Sequence, residues 1–108
     1  MNRDTLASLR DIKDAMQQQQ STALRDIRTR LDRLEGERAE IVAGMENAAP
    51  EVSVEAATHA VRYRSLQRQT LGELATKIVI AERVYRKAEE ELSTTFAEVR
   101  AIEKLMEG

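Results

Sequence analysis

Apolar residues recur along most of this chain at alternating spacings of three and four, the signature of long helices that bury one narrow stripe against a partner helix. In the second half the stripe runs Leu71, Leu74, Ile78, Ala81, Tyr85, Ala88, Leu92, Thr95, Val99, Ile102 and Met106. Such a seam, kept over about five heptads, predicts a coiled-coil helix. Upstream the same register passes through Ala57, Ala60, Arg64 and Gln67, so the seam is small, then polar, then apolar toward the C-terminus. In the first half the clearest run is Leu24, Ile27, Leu31, Leu34, Arg38, Ile41 and Met45, an apolar seam interrupted by one arginine. Leu6, Leu9 and Met16, extended through Gln20 and Ala23, place Ile27 at a different heptad position. A phase break is therefore predicted in Gln17-Gln18-Gln19-Gln20, where a four-residue insertion would locally unwind the supercoil and leave a solvated turn or a hinge.

One break separates the two stretches. Gly44, Asn47, Ala48, Ala49 and Pro50 interrupt the pattern, and Pro50 is the only proline. Proline cannot continue the first helix but is tolerated where a second one starts. Ser53 offers an N-cap, and Glu55 an acid in the first turn. The predicted fold is all-α: helix 1 over about 4–46, a turn over about 47–53, and helix 2 over about 54–107, forming a single antiparallel coiled-coil hairpin domain. Folding about Pro50 pairs Leu34 with Arg64, Leu31 with Gln67 or Arg68, Ile27 with Leu71 and Leu24 with Leu74. At 1.5 Å per residue the helices measure about 65 and about 80 Å, so the second overhangs the first. Thr94 to Gly108 are then expected to lack a partner within the hairpin while continuing an apolar stripe through Phe96, Val99, Ile102, Leu105 and Met106. An amphipathic helix with an unburied stripe is a docking element or an oligomer contact.

Off the seam, Ile78, Val79, Ile80 and Ala81 are four consecutive apolar residues that encircle the helix. Two-helix packing covers only Ile78 and Ala81, so Val79 and Ile80, with Val84 nearby, are expected to meet a partner or a second copy in a four-helix arrangement. Charge adds a second candidate surface. Arg62, Arg64 and Arg68 lie in a stretch without acids, and the predicted hairpin sets them opposite Arg25, Arg28, Arg30 and Arg33, which Asp26, Asp32 and Glu35 offset in part. This basic band is either a solvated face or a contact for an acidic partner. Glu89, Glu90, Glu91 and Glu98 form an acidic zone farther along.

Composition narrows the function classes. Charged residues make up 33% of the chain and aromatics 3%, a balance suited to long helices and poor for an aromatic-rich globular core. A net charge of −2 argues against nonspecific nucleic-acid binding. Without cysteine there is no thiol chemistry and no Cys-based zinc site, and His59 is the only histidine. Isolated carboxylates on exposed helix faces do not build the enclosed pocket that general acid–base catalysis needs. No catalytic, cofactor-binding or metal-binding residue is therefore assigned. Gly36 and Gly72 are isolated interior glycines, read as flexible or close-packing points. No apolar segment suggests a signal peptide or a membrane span, so a cytoplasmic location is expected.

Several stretches carry a family resemblance. Leu6-Ala-Ser-Leu9-Arg-Asp-Ile12-Lys13, the glutamine-rich continuation, Leu31-Asp-Arg-Leu34-Glu35 and the closing Arg100-Ala-Ile-Glu103-Lys104-Leu105 resemble the FliJ-type proteins, stalk proteins of flagellar and related type III secretion export machines. The resemblance implies an antiparallel coiled coil that inserts its paired termini into a hexameric export ATPase, touches the export gate and handles export chaperones. It also implies peripheral placement at the inner face of the membrane through the secretion apparatus. The candidate partner-binding residues from the exposed stripes are Val79, Ile80, Val84, Phe96, Val99, Ile102, Leu105 and Met106. The alternative is a self-associating structural coiled coil, a homodimer or four-helix bundle, or a small adaptor unrelated to export.

Overall fold

The computed structural model describes residues 2–48, 50 and 53–108. It contains two long helices, α1 (Arg3–Glu46, 44 residues) and α2 (Val54–Glu107, 54 residues). Both helices start on side-chain caps. The Asn2 side-chain oxygen accepts the Thr5 amide at 2.8 Å, and the Ser53 hydroxyl accepts the Ala56 amide at 3.0 Å, each satisfying a donor the first turn would otherwise leave unpaired. The turn expected over 47–53 includes residues 49, 51 and 52, which lie outside the described residues. Thr22, Thr58, Thr76 and Thr94 donate their hydroxyls to the carbonyls four residues back, a local bond that lets β-branched residues sit mid-helix. No described helix is long and apolar enough to cross a membrane.

The chain divides into two compact units. Unit 1 comprises Met1–Thr29 and Arg83–Gly108. Within it, partners on α2 descend as α1 ascends. The Arg10 guanidinium donates to the Met106 sulfur at 3.9 Å, Lys13 Nζ meets Glu98 Oε2 at 2.6 Å, and the Arg28 guanidinium stands 5.7 Å from the centre of the Tyr85 ring. Leu6, Thr95, Val99 and Ile102 form its buried positions. Unit 2 comprises Arg30–Glu82, and its core is Leu31, Leu34, Leu74, Ile78 and Ala81, with Ile41 packed against it.

Along α2, every seam position from Ala57 to Met106 is buried or half-buried, and nearly everything between is exposed. The α1 seam is also shielded at Leu24, Ile27, Leu31, Leu34, Ile41 and Met45, with Arg38 exposed.

Three expectations are corrected. First, there is no phase break in the glutamine run. Shielded positions continue upstream from Leu24 at the same spacing through Gln20, Gln17, Lys13, Arg10 and Leu6, while Met16 and Ala23 are exposed. Burial follows helix geometry, and polar side chains with long stems fill seam sites that apolarity alone would have assigned elsewhere. Second, Leu34 and Leu31 do not sit beside Arg64 and Gln67. They cluster with Leu74 and Ile78, about 15 Å farther along α2, because that register joins apolar positions of both helices. Third, Thr94 to Gly108 are not unpartnered, since this segment meets Arg10 and Lys13 and buries Val99 and Ile102.

Candidate protein-binding faces

The predicted contact residues fall into two groups. Val99 and Ile102 retain only 6% and 7% of their surface and belong to the interior of unit 1, so neither is a docking residue; Met106 is half-buried against Arg10. Val79, Ile80, Val84, Phe96 and Leu105 project from α2 into solvent, with Ile80 54% and Leu105 62% exposed. Their exposure has a simple geometric cause: each lies one or two residues off a seam position, where a single neighbouring helix cannot cover it.

In unit 2, Val79 and Ile80 flank the buried Ile78 and Ala81 on opposite sides of the seam. A second apolar feature of unit 2 was not anticipated. Ile41 and Gly44 of α1 line a groove with Tyr63, Leu66, Gln67 and Thr70 of α2. A Cβ added at Gly44 would meet nothing within 4 Å, so the groove is open at that point. Tyr63 and Leu66 immediately precede the polar seam residues Arg64 and Gln67, and the exposed pair could have been found from the sequence by asking what flanks a weak seam.

In unit 1 the two sides of the seam differ. One groove is lined by Gln17, Ser21 and Leu24 of α1 with Glu89, Leu92 and Phe96 of α2, and the Arg100 guanidinium lies 5.5 Å from the Phe96 ring centre. This contact occupies one face of the ring with a cation from the same helix. On the other side, Met16 and Gln20 line a groove with Lys87, Glu91, Thr94 and Glu98. The side-chain oxygen of Gln20 is buried there without a hydrogen-bond partner among the described residues.

The expected basic band does not form as one surface within either unit. Arg30 and Arg33 flank the leucines that pack on Leu74 and Ile78, whereas Arg64 shares the seam row near the Ile41–Gly44 level, with Arg62 and Arg68 exposed beside it. Arg28 belongs to unit 1, where it stacks on Tyr85. Within unit 2 the register that joins the leucines sets Arg30 and Arg33 at a different level from Arg62, Arg64 and Arg68. Among the described residues no group of three or more His, Asp or Glu side chains is arranged to hold a metal ion.

Gly36 and Gly72 are exposed, and a Cβ at either would meet nothing within 4 Å, so neither serves close packing.

Comparisons with protein families, curated proteins and solved structures found no match. What the fold itself defines is an all-helical chain of two long helices whose apolar surplus lies off the packed seam.

Proposed function

We propose that the chain is a non-catalytic coiled-coil stalk or adaptor of a flagellar or type III protein export apparatus. In this reading the two helices form one antiparallel hairpin that binds a hexameric export ATPase and contacts the export gate or export chaperones, in the cytoplasm at the inner face of the membrane. Any nucleotide hydrolysis belongs to the partner. The rod biases ring subunits through its asymmetric faces.

The observation that carries the binding part is the exposure of Val79 and Ile80 beside a well-packed seam. Leaving such side chains in water forgoes burial worth roughly 1.5–3 kcal/mol apiece, and apolar surface of that kind is typical of a site covered in a complex. The export assignment is supported by the FliJ-type resemblance of the stretches from Leu6 to Lys13, Leu31 to Glu35 and Arg100 to Leu105.

The test is co-sedimentation of the purified chain with a hexameric export ATPase. The wild type should co-sediment, and Ile80→Glu should lose at least about tenfold in affinity while its helicity by circular dichroism stays unchanged. Wild-type protein that remains free at micromolar concentrations would end the stalk assignment. A stable dimer by light scattering, broken by Ile80→Glu, would favour the self-associating coiled coil instead.

A further inference from the structure

In unit 1, α1 carries two rows that can each serve as a seam. The shielded row alternates Leu6, Lys13, Gln20 and Ile27 with Arg10, Gln17 and Leu24. Exchanging the second set for Leu9, Met16 and Ala23 gives another unbroken alternation of three and four through the same Leu6, Lys13, Gln20 and Ile27. At about 100° per residue, moving every second seam position back by one turns the centre of the buried face by half of that, about 50°. The alternative row is the more apolar at two of its three exchanged positions, yet Met16 and Ala23 stand exposed and Leu9 is half-buried. Unit 2 has no such choice, because the same exchange would replace Leu31, Arg38 and Met45 by Arg30, Glu37 and Gly44.

Both flanks of the seam leave room for such a turn. On one side Met16 and Gln20 share an open groove with Thr94, Thr95 and Glu98; on the other, Gln17, Ser21 and Leu24 share one with Leu92 and Phe96. Little fixes the present row. Lys13 meets Glu98 at 2.6 Å from a position common to both rows, and its flexible stem can follow the turn. Arg10 reaches α2 through the Met106 sulfur, a weak acceptor 3.9 Å away, and the Gln20 oxygen has no partner among the described residues. The opposing gains are alike in kind. The present row shields Leu24, whereas the other would bury Met16 and more of Leu9 and return the Arg10 and Gln17 heads to water.

We propose that unit 1 is a two-state element in which α1 rolls by about 50° against α2, exchanging Arg10, Gln17 and Leu24 for Leu9, Met16 and Ala23 in the seam. The apolar stripe of α2 serves both states, since burial of apolar surface is non-directional. The phase difference is absorbed at Ile27, where Ala23, Ile27 and Leu31 give two successive spacings of four, a local stutter that leaves Leu31 and Leu34 in place. The roll changes what the chain displays. Met16 withdraws from one side, and Leu24 emerges beside Phe96 on the other. Whatever covers one of these faces selects the row that presents it, by its differential affinity for the two states. The roll is a property of the chain alone and is independent of the export assignment.

The experiment is amide relaxation dispersion on the full-length, isotope-labelled chain, which reads exchange on the microsecond-to-millisecond scale. Exchange should map to Leu6–Ile27 and Leu92–Met106 and be absent from Leu71–Ala81, with a minor state populated at roughly 1–10% whose shifts remain helical. Gln17→Leu favours the present row and should lower the minor population by about tenfold. Leu24→Ala removes that row's apolar advantage and should raise the minor population by about threefold, with the same shift difference at each residue. No exchange in the wild type, or exchange spread evenly into Leu71–Ala81, would overturn the proposal. Minor-state shifts typical of coil would overturn it too, because they report local unfolding and not a roll. An unchanged minor population in Gln17→Leu, a variant that adds apolar area and threatens no fold, would do the same.

Discussion

Unit 2 and unit 1 use the same packing geometry with opposite chemistry on α1. In unit 2 both helices contribute apolar side chains, Leu31 and Leu34 from α1 and Leu74, Ile78 and Ala81 from α2, and the five form one buried cluster. In unit 1 α2 again presents an apolar stripe, with Val99 and Ile102 buried, but α1 covers it largely with Arg10, Lys13, Gln17 and Gln20. Methylene stems can shield apolar surface, yet each polar head must be kept solvated or paired. Lys13 finds Glu98, whereas the Gln20 oxygen finds nothing among the described residues. Matched seams hold helices together; one-sided seams only cover. Unit 1 is accordingly expected to open at a lower free energy than unit 2.

The largest test of that difference is Leu31→Ala, which truncates a side chain only 2% exposed at the centre of the unit 2 cluster. It should cost about 2–3 kcal/mol, at the lower end for leucine truncations because a two-helix interface relaxes more readily than a globular core. Thermal denaturation reads the loss. A change below half of that would mean the cluster is not where the stability resides. Next in size is Gln20→Leu, which removes the unsatisfied oxygen and supplies apolar area to the stripe of α2. It should stabilise the chain by about 1 kcal/mol and slow amide exchange selectively in unit 1. Unchanged exchange there would contradict the claim that polar seam residues weaken this unit. The smallest effect is expected from Gly36→Ala and Gly72→Ala in unit 2, where open space surrounds both positions and the added methyl group meets no neighbour. Each should add about 0.5–1 kcal/mol by lowering the entropy of the unfolded chain, with the gain confined to unit 2 exchange rates. A loss of stability would show a backbone requirement for glycine, although neither residue has a positive φ.

The helices themselves were legible in the chain. Their bounds follow from Ser53 as a cap and from the interruption around Pro50, and the α2 stripe from Ala57 to Met106 follows from apolar spacing on one helix, whereas the Asn2 cap of α1 emerged with the structure. These are local matters, decided by hydrogen bonding and side-chain periodicity within a few turns. Exposure of Val79 and Ile80 was legible for the same reason, because a residue's position around its own helix needs no knowledge of the neighbour.

Which residues meet across the seam was not legible. Folding symmetrically about Pro50 put Leu34 beside Arg64, but burial is gained by joining apolar positions on both helices, and that put Leu34 with Leu74 and Ile78. The same preference left Ile12 in solvent, shielded Gln17 and Gln20, and enclosed Val99 and Ile102, which the unequal lengths of the two helices had assigned to an unpartnered overhang. By itself the sequence determined two helices, the Ser53 cap of the second, and the inward face of α2 and of α1 from Leu24 to Met45. Only the tertiary structure decided the axial register, because sliding one heptad seam along another preserves its periodicity and changes only which side chains touch.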